Sequence, residues 1–178
     1  MSDRFDYDEL VYDGRIAQVH KVGLRMPDGK VVQRDLIHYP GAAVVLPVLD
    51  DGSIAMISNY RFAVDEALLE LPAGLLESGE DPSDCAAREL TEETGYQAGK
   101  ITRLGRFYPG PGTNDEVMHS FLATGLIPGE QNLETYEQIE VKIFQEAEVR
   151  RMVADGTIHD GKTIATLALY WLKKGEAI

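Results

Sequence analysis

The stretch that most restricts how this chain can fold runs from Gly74 to Tyr96: Gly-Leu-Leu-Glu-Ser-Gly-Glu-Asp-Pro-Ser-Asp-Cys-Ala-Ala-Arg-Glu-Leu-Thr-Glu-Glu-Thr-Gly-Tyr. Asp81 is suited to cap a helix, Pro82 to take its first position and Gly95 to end it, so residues 81–94 are expected to be helical. On that helix Glu89 and Glu93 project from one face, and Glu92 lies close to them. Like charges so placed repel each other. Standing alone, the triplet would read as a solvated acidic face. Three carboxylates converging on one patch, however, form a hard oxygen site suited to Mg²⁺ or Mn²⁺, which would turn repulsion into binding.

The rest of the chain alternates strands and helices without strict order. Residues 15–24 and 30–38 read as strands joined at Met26-Pro27-Asp28-Gly29, an N-terminal hairpin. Residues 42–49 and 53–60 read as buried strands around a turn at Asp50-Asp51-Gly52. Further strands are expected at 101–107, 117–124 and 138–144, and helices at 145–154 and 162–173. The fold class is α/β with a mixed sheet. Neither a repeat nor a long linker interrupts it, and 178 residues with 44% hydrophobic content suffice for hardly more than one core.

Charge narrows the partners. A net charge of −13 argues against nucleic acid or an anionic membrane. A phosphorylated substrate would need local help from a metal ion and a few placed arginines. One cysteine, Cys85, excludes an internal disulfide and reads as a packing residue in a reducing cytoplasm. No apolar stretch approaches a membrane span, and the first residues lack the basic and apolar regions of a signal peptide, so a cytoplasmic protein is expected.

Gly74, Glu80, Arg88, Glu89, Leu90, Glu92, Glu93, Gly95 and Tyr96 fit the Nudix box, G-x5-E-x7-R-E-U-x-E-E-x-G-U, departing only in an aromatic Tyr96 where an aliphatic residue is usual. The chain thus resembles the Nudix hydrolases, whose box forms a loop-helix-loop that binds divalent cations. The resemblance implies a mixed sheet sandwiched between helices (α/β/α), with Glu89 and Glu93 as principal metal ligands, Glu92 as another and the main-chain carbonyl of Ala73 as a fourth. Arg88 and Glu80 look structural, a pair that orients the ligands. Mg²⁺ is the implied cofactor, with Mn²⁺ able to substitute.

The flanks resemble the ADP-ribose pyrophosphatases in particular, through Asn59-Tyr60-Arg61-Phe62, Leu69-Glu70-Leu71-Pro72-Ala73-Gly74, and a proline sixteen positions after Gly95, here Pro111. That subgroup acts on nucleoside diphosphate sugars, and hydrolysis of ADP-ribose to AMP and ribose 5-phosphate is the implied reaction. Arg61 would then reach the substrate phosphates, where a guanidinium fork is well suited. Arg34 is held as a second such contact. The loop around Pro111 would lie over the substrate, with Glu116 as an acidic contact. Residues 1–40 resemble a small N-terminal antiparallel sheet that dimerises, and residues 41–178 the hydrolase domain, so a homodimer is expected by analogy.

The resemblance also points to the base. A glutamate preceding a Glu-x-Ile-x-Val strand takes that role in the subgroup, and Glu137-Gln138-Ile139-Glu140-Val141 fits. Glu137 is therefore the expected base and Glu134 the reserve, on a polar loop (129–138) read as mobile. Thr135 stands where relatives can carry a second loop acid. Glu92 is kept as a further catalytic carboxylate. His20, His38, His119 and His159 are dispersed in sequence and read as surface or packing residues. Two other readings remain: a Nudix hydrolase of a GDP-sugar, dinucleoside polyphosphate or oxidised nucleotide, and a module that senses ADP-ribose without cleaving it.

Overall fold

The computed structural model describes residues 4–133, 135 and 137–176, and the chain divides into two compact units. The first comprises the described residues up to Gly41 together with Tyr108–Val117. It contains an antiparallel sheet in the order β1 (Asp8–Asp13), β2 (Gln18–Arg25), β3 (Val31–His38). The Pro-Asp-Gly turn between β2 and β3 closes as expected, with Gly29 at φ +84° donating its N–H to the Met26 carbonyl at 2.9 Å. That left-handed backbone favours glycine.

Two features of this unit differ from the sequence reading. β1 was not anticipated, because all six of its residues are exposed and alternation has nothing to mark. Segment 108–117 also belongs with the N-terminal sheet, beyond the expected limit at residue 40. The Ile37 amide donates to Thr113, the Asp115 amide donates to the Ile37 carbonyl, and the Tyr39 amide donates to the Asp115 carboxylate. Pairing over so long a sequence separation leaves no local pattern.

The second unit is Ala42–Phe107 with the described residues from Met118 onward. Its elements are β4 (Ala42–Pro47), β5 (Ile54–Arg61), β6 (Glu66–Glu70), β7 (Ala73–Leu75), α1 (Pro82–Thr94), β8 (Gln97–Phe107), β9 (Met118–Ile127), β10 (Ile139–Phe144), α2 (Glu146–Ala154) and α3 (Gly161–Lys173). One sheet has the order β7-β4-β9-β8, mixed because β4 and β9 run parallel. A second, antiparallel sheet has the order β10-β5-β6.

Strand β4 is an unbroken apolar run because both of its faces are covered. Ala43 and Val45 share a core cluster with Cys85, Ala86 and Leu90 of α1. Val44 and Leu46 share the other with Val149 of α2 and Leu167 and Trp171 of α3. Helices therefore lie on both sides, the expected α/β/α arrangement, and each fully buried large side chain contributes roughly 1.5–3 kcal/mol. Tyr96 packs at the margin of the α1 cluster, where its aromatic ring is accommodated. Among the described residues, no helix is long and apolar enough to cross a membrane.

Candidate active site

Helix α1 begins and ends as its sequence dictates. Asp81 accepts the Ser83 N–H at 2.8 Å, and Gly95, at φ +76°, donates its N–H to the Thr91 carbonyl. The acidic face so oriented lies against β7, because β7 pairs with β4 in the register Ala43↔Gly74 and Val44↔Ala73. Glu89 and Glu93 are consequently buried, whereas Glu92 keeps a third of its side chain in solvent. The Ala73 N–H donates to Glu93 Oε2 at 2.9 Å. Gly74 passes so close to Glu89 that a Cβ built on it would overlap the carboxylate. Any side chain there would push the Glu89 carboxylate from its place.

Arg88 ties this face together. Its Nε and Nη2 donate to the two oxygens of Glu80 at 2.9 and 3.1 Å, the expected pairing, and Nη2 also donates to the Leu75 carbonyl at 3.1 Å. Beyond the expectation, Nη1 donates to Glu89 at 2.6 Å and to Glu92 at 3.0 Å. These bonds hold the Glu80 carboxyl below its usual range. Cys85 packs in the core, and burial pushes its thiol up to about 12.

The electrostatics disclose an unmet need for positive charge. Burial pushes the Glu93 carboxyl up to about 8, helped by repulsion from Glu89 and Glu137 and opposed by the Ala73 N–H and by Arg61. Burial likewise raises Glu89, opposed by Arg88 and reinforced by Glu92 and Glu137. Glu89 and Glu92 lean on Arg88, and Glu93 on the Ala73 amide. Buried carboxylates short of countercharge fit a divalent cation that would draw them together.

Glu137 is brought to this patch, since its charge acts on both Glu89 and Glu93. Glu134 lies outside the described residues. Ahead of Glu137 the chain is anchored: Gln131 Nε2 donates to the Glu93 carbonyl at 2.6 Å, and the Asn132 N–H donates to the Glu92 carbonyl at 2.9 Å.

Arg61, on β5, also acts electrostatically on Glu93. Its guanidinium is held bidentate by Glu70, Nε at 2.9 Å and Nη2 at 2.5 Å. Glu70 is wholly buried and accepts Lys162 Nζ as well, at 2.5 Å, while Lys162 reaches Asp160 at 3.0 Å. Sequence reasoning missed the functional placement of Glu70 and Lys162. The available signal was a glutamate between Leu69 and Leu71, because a carboxylate buried in an apolar strand must find cations.

The remaining expected contacts belong to the first unit. Arg34 and Pro111 line a cavity of about 430 Å³ there, with Asp35, Tyr108 and Asp115 among its other walls. Glu116 is in the same unit but not in that lining. The histidines are less dispersed than their numbering suggests, for the rings of His20 and His38 meet edge to face with centroids 4.7 Å apart.

Comparison with known proteins gives the chain's relatives. Residues 38–167 match the NUDIX domain family. The chain is 36% identical to an "ADP-ribose pyrophosphatase" of Bacillus subtilis (strain 168), over 96% of this chain and 92% of that protein. It is 32% identical to a "Methanol dehydrogenase activator" of Bacillus methanolicus, over the same shares. A solved structure titled "Crystal structure of ADP compounds hydrolase" superposes with a TM-score of 0.85, covering 98% of this chain and 96% of that one at 23% identity, a likeness of fold.

Proposed function

Because the chain belongs to the Nudix family, we propose that it hydrolyses the pyrophosphate bond of a nucleoside diphosphate sugar, with ADP-ribose cleaved to AMP and ribose 5-phosphate. The observation that carries this reading is the pair of buried glutamates, Glu89 and Glu93, raised by burial and facing Glu137. The similarity to an ADP-ribose pyrophosphatase over nearly the whole length supports the substrate.

Mg²⁺, or Mn²⁺ in its place, would be held by Glu89, Glu93, Glu92 and the Ala73 carbonyl. When bound, the cation supplies charge neutralisation on the pyrophosphate and a more acidic water. The protein's own residues do the rest. Arg88 keeps Glu89 and Glu92 in place, Glu137 accepts the proton of the attacking water, and Arg61, oriented by Glu70, binds phosphate oxygens as a fork. Arg34 is a second contact to the phosphates, the loop around Pro111 selects the sugar, and Glu116 is an acidic contact on that loop. The working state is a homodimer in a reducing cytoplasm, consistent with a lone buried thiol at Cys85.

The test is product release from a panel of nucleotide sugars and dinucleoside polyphosphates with Mg²⁺ or Mn²⁺. AMP and ribose 5-phosphate are expected from ADP-ribose at the highest kcat/KM of the panel. Binding of ADP-ribose with no AMP released under any divalent cation would refute the enzymatic reading. The Gly74→Ala variant is expected to lose about 100-fold in kcat, because the added methyl displaces the Glu89 carboxylate on the scale of an ångström. Steady-state kinetics beside a circular dichroism spectrum checks this; unaltered turnover would show that the close approach does not set the ligand geometry.

A further inference from the structure

The sheet of the first unit gathers a second set of side chains of metal-ligating type, unrelated in sequence and in chemistry to the glutamates of α1. Strands β2 and β3 pair with Gln18 opposite His38 and His20 opposite Leu36, so His20 and His38 are diagonal neighbours on one face. Strand β1 adds Asp8, whose Oδ1 lies 2.5 Å from His20 Nδ1. One ligand atom from each of Asp8, His20 and His38 falls within 4.8 Å of the other two. The Nδ1 of His38 lies 2.5 Å from Asp115 Oδ2, and the other oxygen of Asp115 accepts the Tyr39 N–H at 3.1 Å. His20 Nε2 is buried without a hydrogen-bond partner.

A packing histidine does not explain this arrangement. Each ring is already paired with one carboxylate, and those two pairings do not by themselves require both rings and Asp8 to gather on one face of the sheet. A metal ion accounts for the gathering of Asp8, His20 and His38. Two imidazoles and one carboxylate form a set that suits Zn²⁺ and its late first-row neighbours rather than Mg²⁺. A carboxylate on the far nitrogen of a ligating histidine is the usual means of fixing the ring, and Asp115 is so placed for His38. Bonds of roughly 2 Å need the three groups to close in, a movement side-chain rotation supplies.

We propose that Asp8, His20 and His38 bind one Zn²⁺-class ion, with Asp115 orienting His38. The ion clips together all three strands of a small sheet whose first strand exposes every residue, and a tetrahedral ion keeps one position for water or an exogenous donor. Metal binding is coupled to folding, so such a clip adds directly to the stability of the unit.

The test titrates the full chain with Zn²⁺ by calorimetry in excess Mg²⁺, and with Co²⁺ by visible absorption. One Zn²⁺ per chain that Mg²⁺ does not displace is expected, and Glu93→Gln retains it. His38→Gln and His20→Gln are expected to weaken binding at least 100-fold, and Asp115→Asn about 10–100-fold. Circular dichroism confirms folding; should the histidine variants unfold, Asp8→Asn on the exposed strand serves with the same expected loss. Absence of Zn²⁺ binding in Mg²⁺ overturns the proposal, as does binding that survives the His20→Gln/His38→Gln pair or disappears only in Glu93→Gln.

Discussion

Replacing Glu93 by glutamine is expected to lower kcat/KM for ADP-ribose at least about 1,000-fold, the scale of losing several kcal/mol of metal-borne transition-state stabilisation. Mg²⁺ is expected to raise the Tm of the wild type, and the same change should abolish that rise. The sign of the accompanying pH effect follows from burial, which pushes the Glu93 carboxyl from 4.5 up to about 8. Between those values the folded metal-free protein keeps a proton that the unfolded chain has released. Its stability therefore falls as pH rises through that window, with a ceiling of roughly 1.4 kcal/mol per pH unit. Glutamine carries no such charge and can still accept the Ala73 N–H. Metal-free Glu93→Gln should thus show a flatter Tm profile than wild type from pH 5 to about 8 and exceed it at the alkaline end. Because Mg²⁺ must displace the proton, its stabilisation of the wild type should grow over the same interval. Thermal denaturation with and without Mg²⁺ at several pH values measures all of this, and parallel profiles for the two proteins would contradict the assignment.

Glu137→Gln is expected to reduce kcat about 100- to 10,000-fold, the range for losing a positioned general base, while KM stays within a few-fold. The expectation rests on the reach of the Glu137 charge to both Glu89 and Glu93, and on the fastening of Gln131 and Asn132 to the end of α1. A loop anchored at its start can bring a carboxylate to a repeatable place without closing over a long path. Single-turnover kinetics separates the chemical step from release. Unchanged kcat would move the base elsewhere, with Glu134 the next variant to make.

Much of the second unit was legible because its signals are local. The apolar run of β4 is continuous where both faces are covered, and α1 announces itself by Asp81, Pro82 and Gly95. The same helix period put Glu89 and Glu93 on one face. What the sequence could not convey is distance between segments remote in the chain. Strand β1 exposes all six residues, and β6 has only Glu70 fully buried, a residue that local patterning would assign to solvent. Its partners Arg61 and Lys162 come from a strand and a helix separated by about half the chain. Arg88 looked like half of a salt bridge, yet it serves Glu80, Glu89 and Glu92 together. The hairpin turn sets a register that makes His20 and His38 diagonal neighbours.

Strand β4 has an evolutionary corollary. Ala43 and Val45 answer to α1, while Val44 and Leu46 answer to α2 and α3. Substitutions among relatives should therefore fall into two covarying sets that interleave residue by residue along one strand. A change of volume in the set shared with α2 and α3 can be compensated there without disturbing the helix that carries the glutamates, so one half of the core is free to drift while the other is held by the chemistry.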